Sequence, residues 1–156
     1  MTGDGIHAYV AAAPNGRGAG IGIVFVDGRG HILRRAGRRL PASTRNLAAF
    51  QGILYALWNT RRLGTRRVVV HSDNPAVVAQ INGDQEVDLD LIGPYLEVRA
   101  LMHAYRSARV DTDQTGWGGQ EARTTAEAAL TSISTEVIIE DLPLWTGQVR
   151  MGGFSA

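Results

Sequence analysis

The sequence predicts an α/β domain built on a mixed five-stranded sheet flanked by helices, and three observations lead to that fold class. Residues 1–40 hold three short runs rich in β-branched and aromatic residues, separated by the glycine-rich turns PNGRGAG and DGRG. After residue 43, segments with helical periodicity alternate with short apolar runs of the kind found in buried strands. A three-strand antiparallel meander followed by alternating helices and strands is typical of a mixed sheet with helices on its faces.

Local signals place the individual elements along the chain. Ser43 or Thr44 can cap the first helix, apolar residues recur at helical spacing behind them, and Gly64 ends it. Asn74-Pro75 predicts the start of a second helix, with proline in the first turn. The predicted strands cover residues 6–13, 20–27, 31–39, 66–72 and 109–112, and the predicted helices cover residues 43–63, 75–82, 94–107 and 120–132.

The end of the chain is predicted to lie outside this pattern. We expect one domain over residues 1–132 and a C-terminal extension over residues 133–156. The extension, which includes STEVIIEDLPLWTGQVRMGGFSA, has no helical period but keeps several large apolar residues. It is interpreted as an extra strand or arm packed on the domain, with a segment for partner binding or self-association as the alternative.

Composition limits the function classes. The chain has 156 residues, 44% of them apolar and 20% charged, as in an ordinary globular domain. The absence of cysteine excludes disulfides and thiolate metal sites, and a net charge of +1 means that affinity for nucleic acid would need local clusters of positive charge. No run of residues predicts a membrane span, and the start MTGDGIHAY lacks the pattern of a signal peptide, so we expect a cytoplasmic protein.

Four motifs occur in an order that resembles a known family. AGIGIVFVD with GRGHIL, STRNLAAFQGILYAL, VVVHSDNPAVVAQING and PYLEVRALM follow one another at spacings similar to those of type I ribonuclease H, over roughly residues 6–130. The resemblance implies a ribonuclease H-like fold. It also implies cleavage of the RNA strand of RNA/DNA hybrids with two Mg²⁺ or Mn²⁺ ions held by four carboxylates.

Most of those four carboxylates are replaced in this sequence. The position on the first strand falls on Ala11, and the position early in the first helix falls on Ala49. The third position, after the buried strand of residues 66–72, is kept as Asp73. Asp73 is interpreted either as a vestigial ligand or, more simply, as the N-cap of the helix that starts near Pro75.

The fourth carboxylate position falls on Arg123, or on Thr125 with a shift of two residues. Glu127, one helical turn further on, is the residue that could substitute for it. An arginine pointing inward would place a fixed positive charge where a cation should bind, and we hypothesise an ion pair between Arg123 and Asp73.

The charge pattern predicts a protein without hybrid-cleaving activity and without a bound metal. Two divalent ions about 4 Å apart need several anionic ligands, and Asp73 alone cannot supply them. The leading hypothesis is a pseudo-nuclease that acts as a non-catalytic binding or assembly module, with a protein partner or a second copy of itself. The alternatives are a non-catalytic binder of RNA or RNA/DNA hybrid and an alanine-inactivated variant of a Mg²⁺-dependent ribonuclease H.

Candidate nucleic-acid-binding residues come from the same resemblance and from basic clusters. Asn15, Thr44 and Asn46 match residue types with which the family contacts hybrids, although they serve equally well as a turn former and helix cap. The segment NGDQEVDLDLIGP stands where relatives carry basic residues, and its acids would repel phosphate. The basic clusters are Arg34, Arg35, Arg38 and Arg39 on the third strand, whose side chains should alternate between the two faces, and Arg61, Arg62, Arg66 and Arg67 after the first helix.

Overall fold

The computed structural model describes residues 5–15, 18–41, 44–112, 116–130 and 136–140. These residues form one sheet with helices on both faces. The strands are β1 Ile6–Asn15, β2 Gly18–Val26, β3 Ile32–Pro41, β4 Arg67–Ser72, β5 Ser107–Thr112 and β6 Glu136–Glu140. The helices are α1 Arg45–Arg62, α2 Pro75–Asn82, α3 Ile92–His103 and α4 Trp117–Leu130, with a 3₁₀ turn over Leu89–Leu91 before α3.

The predicted mixed sheet is confirmed, with one more strand than the five that were expected. The strand order is β5-β4-β1-β2-β3-β6, in which β1, β2 and β3 form the antiparallel meander and β4 and β5 run parallel to β1. The added strand β6 pairs antiparallel with the edge strand β3, where Val137 lies opposite Gly37. An extra strand was the favoured interpretation of the extension. Residues 141–156 lie outside the described residues, and the domain boundary at residue 132 stays a prediction.

The sheet separates two helical layers. Gly52 of α1 lies against Ile21 of β2, whereas the next residue of that strand, Gly22, lies against the backbone of α4. Since successive residues of a strand point to opposite faces, α1 and α4 cover opposite faces of the sheet. The main core lies on the α1 side, where α2 and α3 also pack, and its largest fully buried side chains include Phe25, Phe50 and Leu57.

Two helix boundaries differ from the prediction for tertiary reasons. The third helix ends at His103 rather than at residue 107, because the backbone N–H groups of Arg106 and Ser107 donate to the Arg66 carbonyl and start β5. The last helix begins at Trp117 and therefore includes Gly118, which a sequence pattern assigns to a loop. A Cβ atom at Gly118 would overlap the Tyr9 ring, so this glycine allows close contact between α4 and β1.

None of the helices described here is long and apolar enough to cross a bilayer.

Candidate functional site

The carboxyl ends of β1 and β4 bring the first and third predicted ligand positions together. These strands are parallel neighbours, and their last recorded pair is Val10 with Ser72. Ala11 follows Val10 and Asp73 follows Ser72. Ala11 and Asp73 therefore lie side by side, at the end of the sheet where β4 stops. Ala11 is fully buried, and no side chain at this position extends beyond a methyl group.

The first turns of α1 are fixed beside these strand ends by a chain of hydrogen bonds. Asn74 Nδ2 donates to Asn46 Oδ1 at 2.9 Å, and the Asn74 backbone N–H donates to Ser72 Oγ at 3.2 Å. Ala49 lies one helical turn after Asn46 and is only 2% exposed. The second predicted ligand position is therefore a buried methyl group as well.

The hypothesised ion pair is present in the structure. Arg123 Nη2 of α4 lies 3.6 Å from Asp73 Oδ2, with the Asp73 side chain 19% exposed and the Arg123 side chain 51% exposed. The other interpretation of Asp73, as a helix N-cap, is wrong. The cap of α2 is Asn74, whose Oδ1 accepts from the Val77 backbone N–H at 3.1 Å, because that residue and not Asp73 directly precedes the helix.

The alternative residues for the fourth position are a hydroxyl that is used within α4 and an exposed carboxylate. The Thr125 hydroxyl is buried and donates to the Glu121 carbonyl of its own helix at 2.9 Å. Glu127 is exposed on α4. Within the described ranges, no group of three or more histidine, aspartate or glutamate side chains is arranged to hold a metal ion.

Asp73 has a perturbed acidity that predicts a pH effect on stability. Burial raises the pKa of Asp73 above its ordinary value of 3.8, while Arg123 and then Arg45 act in the opposite direction. Between 3.8 and the higher folded-state pKa, the folded protein binds more protons than the unfolded chain. The free energy of unfolding therefore falls as pH rises through that window.

We expect Asp73→Asn to become more stable relative to the parent as pH rises from about 3.5 to about 7, because the variant has no carboxyl group to ionise in the buried site. Urea denaturation across this range measures the difference. Asp84→Asn, which removes an equal charge from an exposed position, serves as the control. If the parent instead becomes more stable relative to Asp73→Asn as pH rises, the attraction between Asp73 and Arg123 outweighs the cost of burying the carboxylate.

The predicted nucleic-acid contacts at the start of α1 are engaged within the protein. Thr44 Oγ1 caps α1 by accepting from the Leu47 backbone N–H at 3.1 Å, and Asn46 is held by Asn74 as described above. The backbone of Asn15 lies at the end of β1, and its side chain is outside the described part of the structure.

A small cleft beside Thr44 and Asn46 carries acidic side chains. Its volume is about 300 Å³, and Asp88 and Asp90 line it opposite Arg45. Asp88 cannot swing away freely, since Gln80 Nε2 donates to Asp88 Oδ2 and the Asp88 N–H donates to Gln80 Oε1, both at 3.3 Å. The acidic segment therefore places two carboxylates beside the predicted contacts Thr44 and Asn46, where they would repel a phosphate.

The arginines of β3 reach opposite faces of the sheet, as the alternation predicts. Arg35 Nη2 donates to Glu121 Oε1 of α4 at 2.9 Å, and the Arg38 guanidinium lies 5.4 Å from the centre of the Tyr55 ring of α1. Because they face different layers, these four arginines do not form a single basic surface. The members of the predicted cluster are Arg34, Arg35, Arg38 and Arg39, and all except the exposed Arg38 are half-buried.

Comparison with known proteins identifies the family. Residues 9–112, two thirds of the chain, match the family model described as reverse transcriptase-like. This chain belongs to the ribonuclease H-like family. No curated protein matches this ribonuclease H-like chain in sequence.

Solved structures place this ribonuclease H-like domain among ribonuclease H1 folds. RNase H1 from the halophilic archaeon Halobacterium salinarum matches with a TM-score of 0.75 and 25% identity, over 80% of this chain and 96% of that one. The N-terminal RNase H domain of a Mycobacterium tuberculosis protein matches with a TM-score of 0.74 and 22% identity, over 81% and 94% of the two chains. LC11-RNase H1, a metagenomic protein from compost, matches in its complex with RNA/DNA hybrid with a TM-score of 0.69 and 19% identity, over 81% and 99%.

Sequence reasoning missed two residues of this ribonuclease H-like site. Arg45, at the start of α1, acts against the rise in the pKa of Asp73 that burial causes, and Asn74 joins α1 to the end of β4. An N-cap asparagine directly before a proline is a local signal that could have identified Asn74. The effect of Arg45 on Asp73 depends on the packing of α1 against the sheet, and no local pattern encodes it.

Proposed function

We propose that this domain is a pseudoenzyme of the ribonuclease H-like family and acts as a non-catalytic binding or assembly module. The observation that carries the proposal is the ion pair of Arg123 with Asp73 at 3.6 Å. The one carboxylate kept from the predicted set of four already faces a guanidinium, which stays protonated at every physiological pH.

The residues present do not fit a pair of divalent metal ions. Ala11 and Ala49 offer methyl groups, and both are buried, Ala11 in a cluster with Ala122 of α4 and Ala49 in the main core. Arg123 adds a positive charge on the same side as Asp73. A divalent metal ion bound here would be repelled by the Arg123 charge, and the carboxylates that would offset this repulsion are missing. For this reason we propose that the domain binds neither Mg²⁺ nor Mn²⁺ at this site and does not cleave hybrids.

The proposed partner is another protein or a second copy of the chain, in the cytoplasm. This choice over nucleic acid is supported by the cleft beside Thr44, where Asp88 and Asp90 oppose phosphate. It is further supported by Thr44 and Asn46, whose side chains already make hydrogen bonds inside the protein. The second candidate function, non-catalytic binding of RNA or RNA/DNA hybrid, is favoured by the structural similarity to LC11-RNase H1 in complex with a hybrid.

We expect the purified domain to leave a labelled RNA/DNA hybrid intact and unbound in gel-shift assays at near-physiological salt. Asp90→Asn should increase hybrid affinity, because it removes a repulsive charge from the cleft beside Asn46. Asp84→Asn is the matched control, since it removes the same charge from the same acidic segment but does not line the cleft.

Binding of the hybrid by the parent protein, with affinity that falls steeply as salt increases, would support the hybrid-binding function instead. Size-exclusion chromatography with light scattering then tests self-association, and cross-linking tests for a protein partner. Hybrid cleavage by the parent protein would overturn the proposal in either form.

A further inference from the structure

A basic cleft lies at the opposite end of the sheet from Asp73. Three short segments border it: the last turn of α1, the loop that enters β4 and the loop that enters β5. Its volume is about 550 Å³, and each segment contributes one arginine, namely Arg61, Arg66 and Arg106. We propose that this cleft is a binding site for phosphate groups.

Ion pairs within the protein do not explain why these three arginines lie around one cleft. Arg61, Arg66 and Arg106 are all exposed, and in the part of the chain that is described none of them forms an ion pair with a carboxylate. Among the residues that the structure describes, no aspartate or glutamate lines the cleft either. Guanidinium groups brought together without a counter-charge repel one another, and a bound anion removes that repulsion.

The helix terminus accounts for only one of the three charges. Arg61 lies in the last turn of α1, where a positive charge interacts favourably with the helix dipole. Arg66 and Arg106 belong to other segments, which reach the cleft only through tertiary structure. The free carbonyl groups of a helix end would oppose an anion, but here Leu63 N–H donates to the Asn59 and Thr60 carbonyls and Gly64 N–H donates to the Arg61 carbonyl.

The loops that hold the arginines are ordered by hydrogen bonds. The Arg66 carbonyl accepts from the N–H groups of Arg106 at 2.9 Å and Ser107 at 3.3 Å, which ties the two strand entries together. Thr65 Oγ1 accepts from the Arg67 N–H at 3.4 Å and donates to the Arg67 carbonyl at 3.1 Å. Binding an anion therefore requires ordering of side chains but not of the backbone.

The described wall of the cleft carries no competing negative charge. Burial raises the pKa of the Tyr105 hydroxyl far above its ordinary value, so the group stays protonated and donates to the Leu57 carbonyl. Tyr105 is 8% exposed, and its ring offers little surface to a nucleobase. The chemistry of the cleft thus selects an oxyanion with several acceptor oxygens, and arginine recognises phosphate with two parallel hydrogen bonds.

The test is a titration of the full chain with tripolyphosphate, in which binding is measured by calorimetry and by backbone amide NMR. We expect saturable binding at about 50 mM salt that weakens at about 200 mM, with shifts centred on Gly64, Thr65 and Arg66. Arg66→Gln and Arg106→Gln should each weaken binding by about fivefold or more, since each removes charge-assisted hydrogen bonds. Arg62→Gln is the matched control: it removes the same charge from the same end of α1 but does not line the cleft.

An equal loss of affinity in Arg62→Gln, or NMR shifts away from residues 64–66, would overturn the proposal, because either result indicates general attraction between charges. Absence of saturable binding at low salt would also overturn it. Circular dichroism of each variant establishes that the fold is kept.

Displacement of tripolyphosphate by ATP would identify the source as a small phosphorylated molecule, and displacement by a short single-stranded DNA alone would identify a nucleic-acid backbone. Neither result depends on whether the Asp73 end of the sheet is catalytic.

Discussion

Restoring two carboxylates in Ala11→Asp/Ala49→Glu is expected to leave the protein unable to bind Mg²⁺ or to cleave an RNA/DNA hybrid. Arg123, which lies 3.6 Å from Asp73 in the parent, is kept in this variant and would place its positive charge beside the introduced acids. The triple variant Ala11→Asp/Ala49→Glu/Arg123→Asp is expected to gain Mg²⁺ binding, because it presents four carboxylates and lacks the guanidinium paired with Asp73.

The gain is measured as a rise in melting temperature on adding Mg²⁺, and by calorimetry. Without metal we expect the triple variant to be less stable than the parent by about 3 kcal/mol or more, since Ala11 and Ala49 are buried and the new charges would be close to Asp73. Metal binding to the folded state should recover part of this loss.

The control for the triple variant is Ala11→Asn/Ala49→Gln/Arg123→Asn, which changes side-chain size similarly without adding charge. It should lose stability and show no response to Mg²⁺. Cleavage of hybrid by the double variant would contradict our proposal and favour the alternative that this chain is an alanine-inactivated form of a working nuclease.

Replacing Gly22 by alanine is expected to destabilise the fold by about 3 kcal/mol or more, at the upper end of the range for overpacked cores. A Cβ atom at this position would overlap the Ala122 carbonyl oxygen and the Ala126 backbone nitrogen of α4. Both obstacles are backbone atoms, so no side-chain rotation can relieve the overlap. The helix must move away from the sheet or the strand must distort.

Urea denaturation of the parent and of Gly22→Ala measures this effect. Gly93→Ala in α3 is the matched control, since a Cβ atom there would have no described atom within 4 Å beyond its chain neighbours and the backbone of its own helix. That variant should change the free energy of unfolding by no more than about 1 kcal/mol, because the helix preference of alanine over glycine is opposed by the restriction that Pro94 places on the residue before it. Equal stability of Gly22→Ala and the parent would show that α4 is not held as closely to β2 as the structure indicates.

Local patterns were sufficient to predict most elements of the fold. The second helix was predicted at residues 75–82, the range it occupies, from Asn74-Pro75 at its start. The meander was predicted from strand-like runs between glycine-rich turns, and its pairing is confirmed. Such signals act within one turn or one strand and can be recognised without knowledge of the rest of the chain.

Predictions from local patterns failed where a contact between distant residues decides the structure. The start of α4 was placed at residue 120, because Gly118 and Gly119 disfavour a helix taken alone. In the folded protein α4 approaches Tyr9 so closely at Gly118 that no larger residue fits. The strand β6 was left open between two interpretations, since its pairing with β3 joins segments about one hundred residues apart.

By itself, the sequence determined the ribonuclease H-like fold, because this depends on the spacing of short patterns along the chain. It also predicted which residues stand at the four ligand positions. Only the tertiary structure decided that Arg123 pairs with Asp73, that Asp88 and Asp90 face Thr44, and that Arg61, Arg66 and Arg106 surround one cleft. The physical reason is that the strength of a charge interaction depends on distance through space and on burial. Both are set by how the helices pack on the sheet.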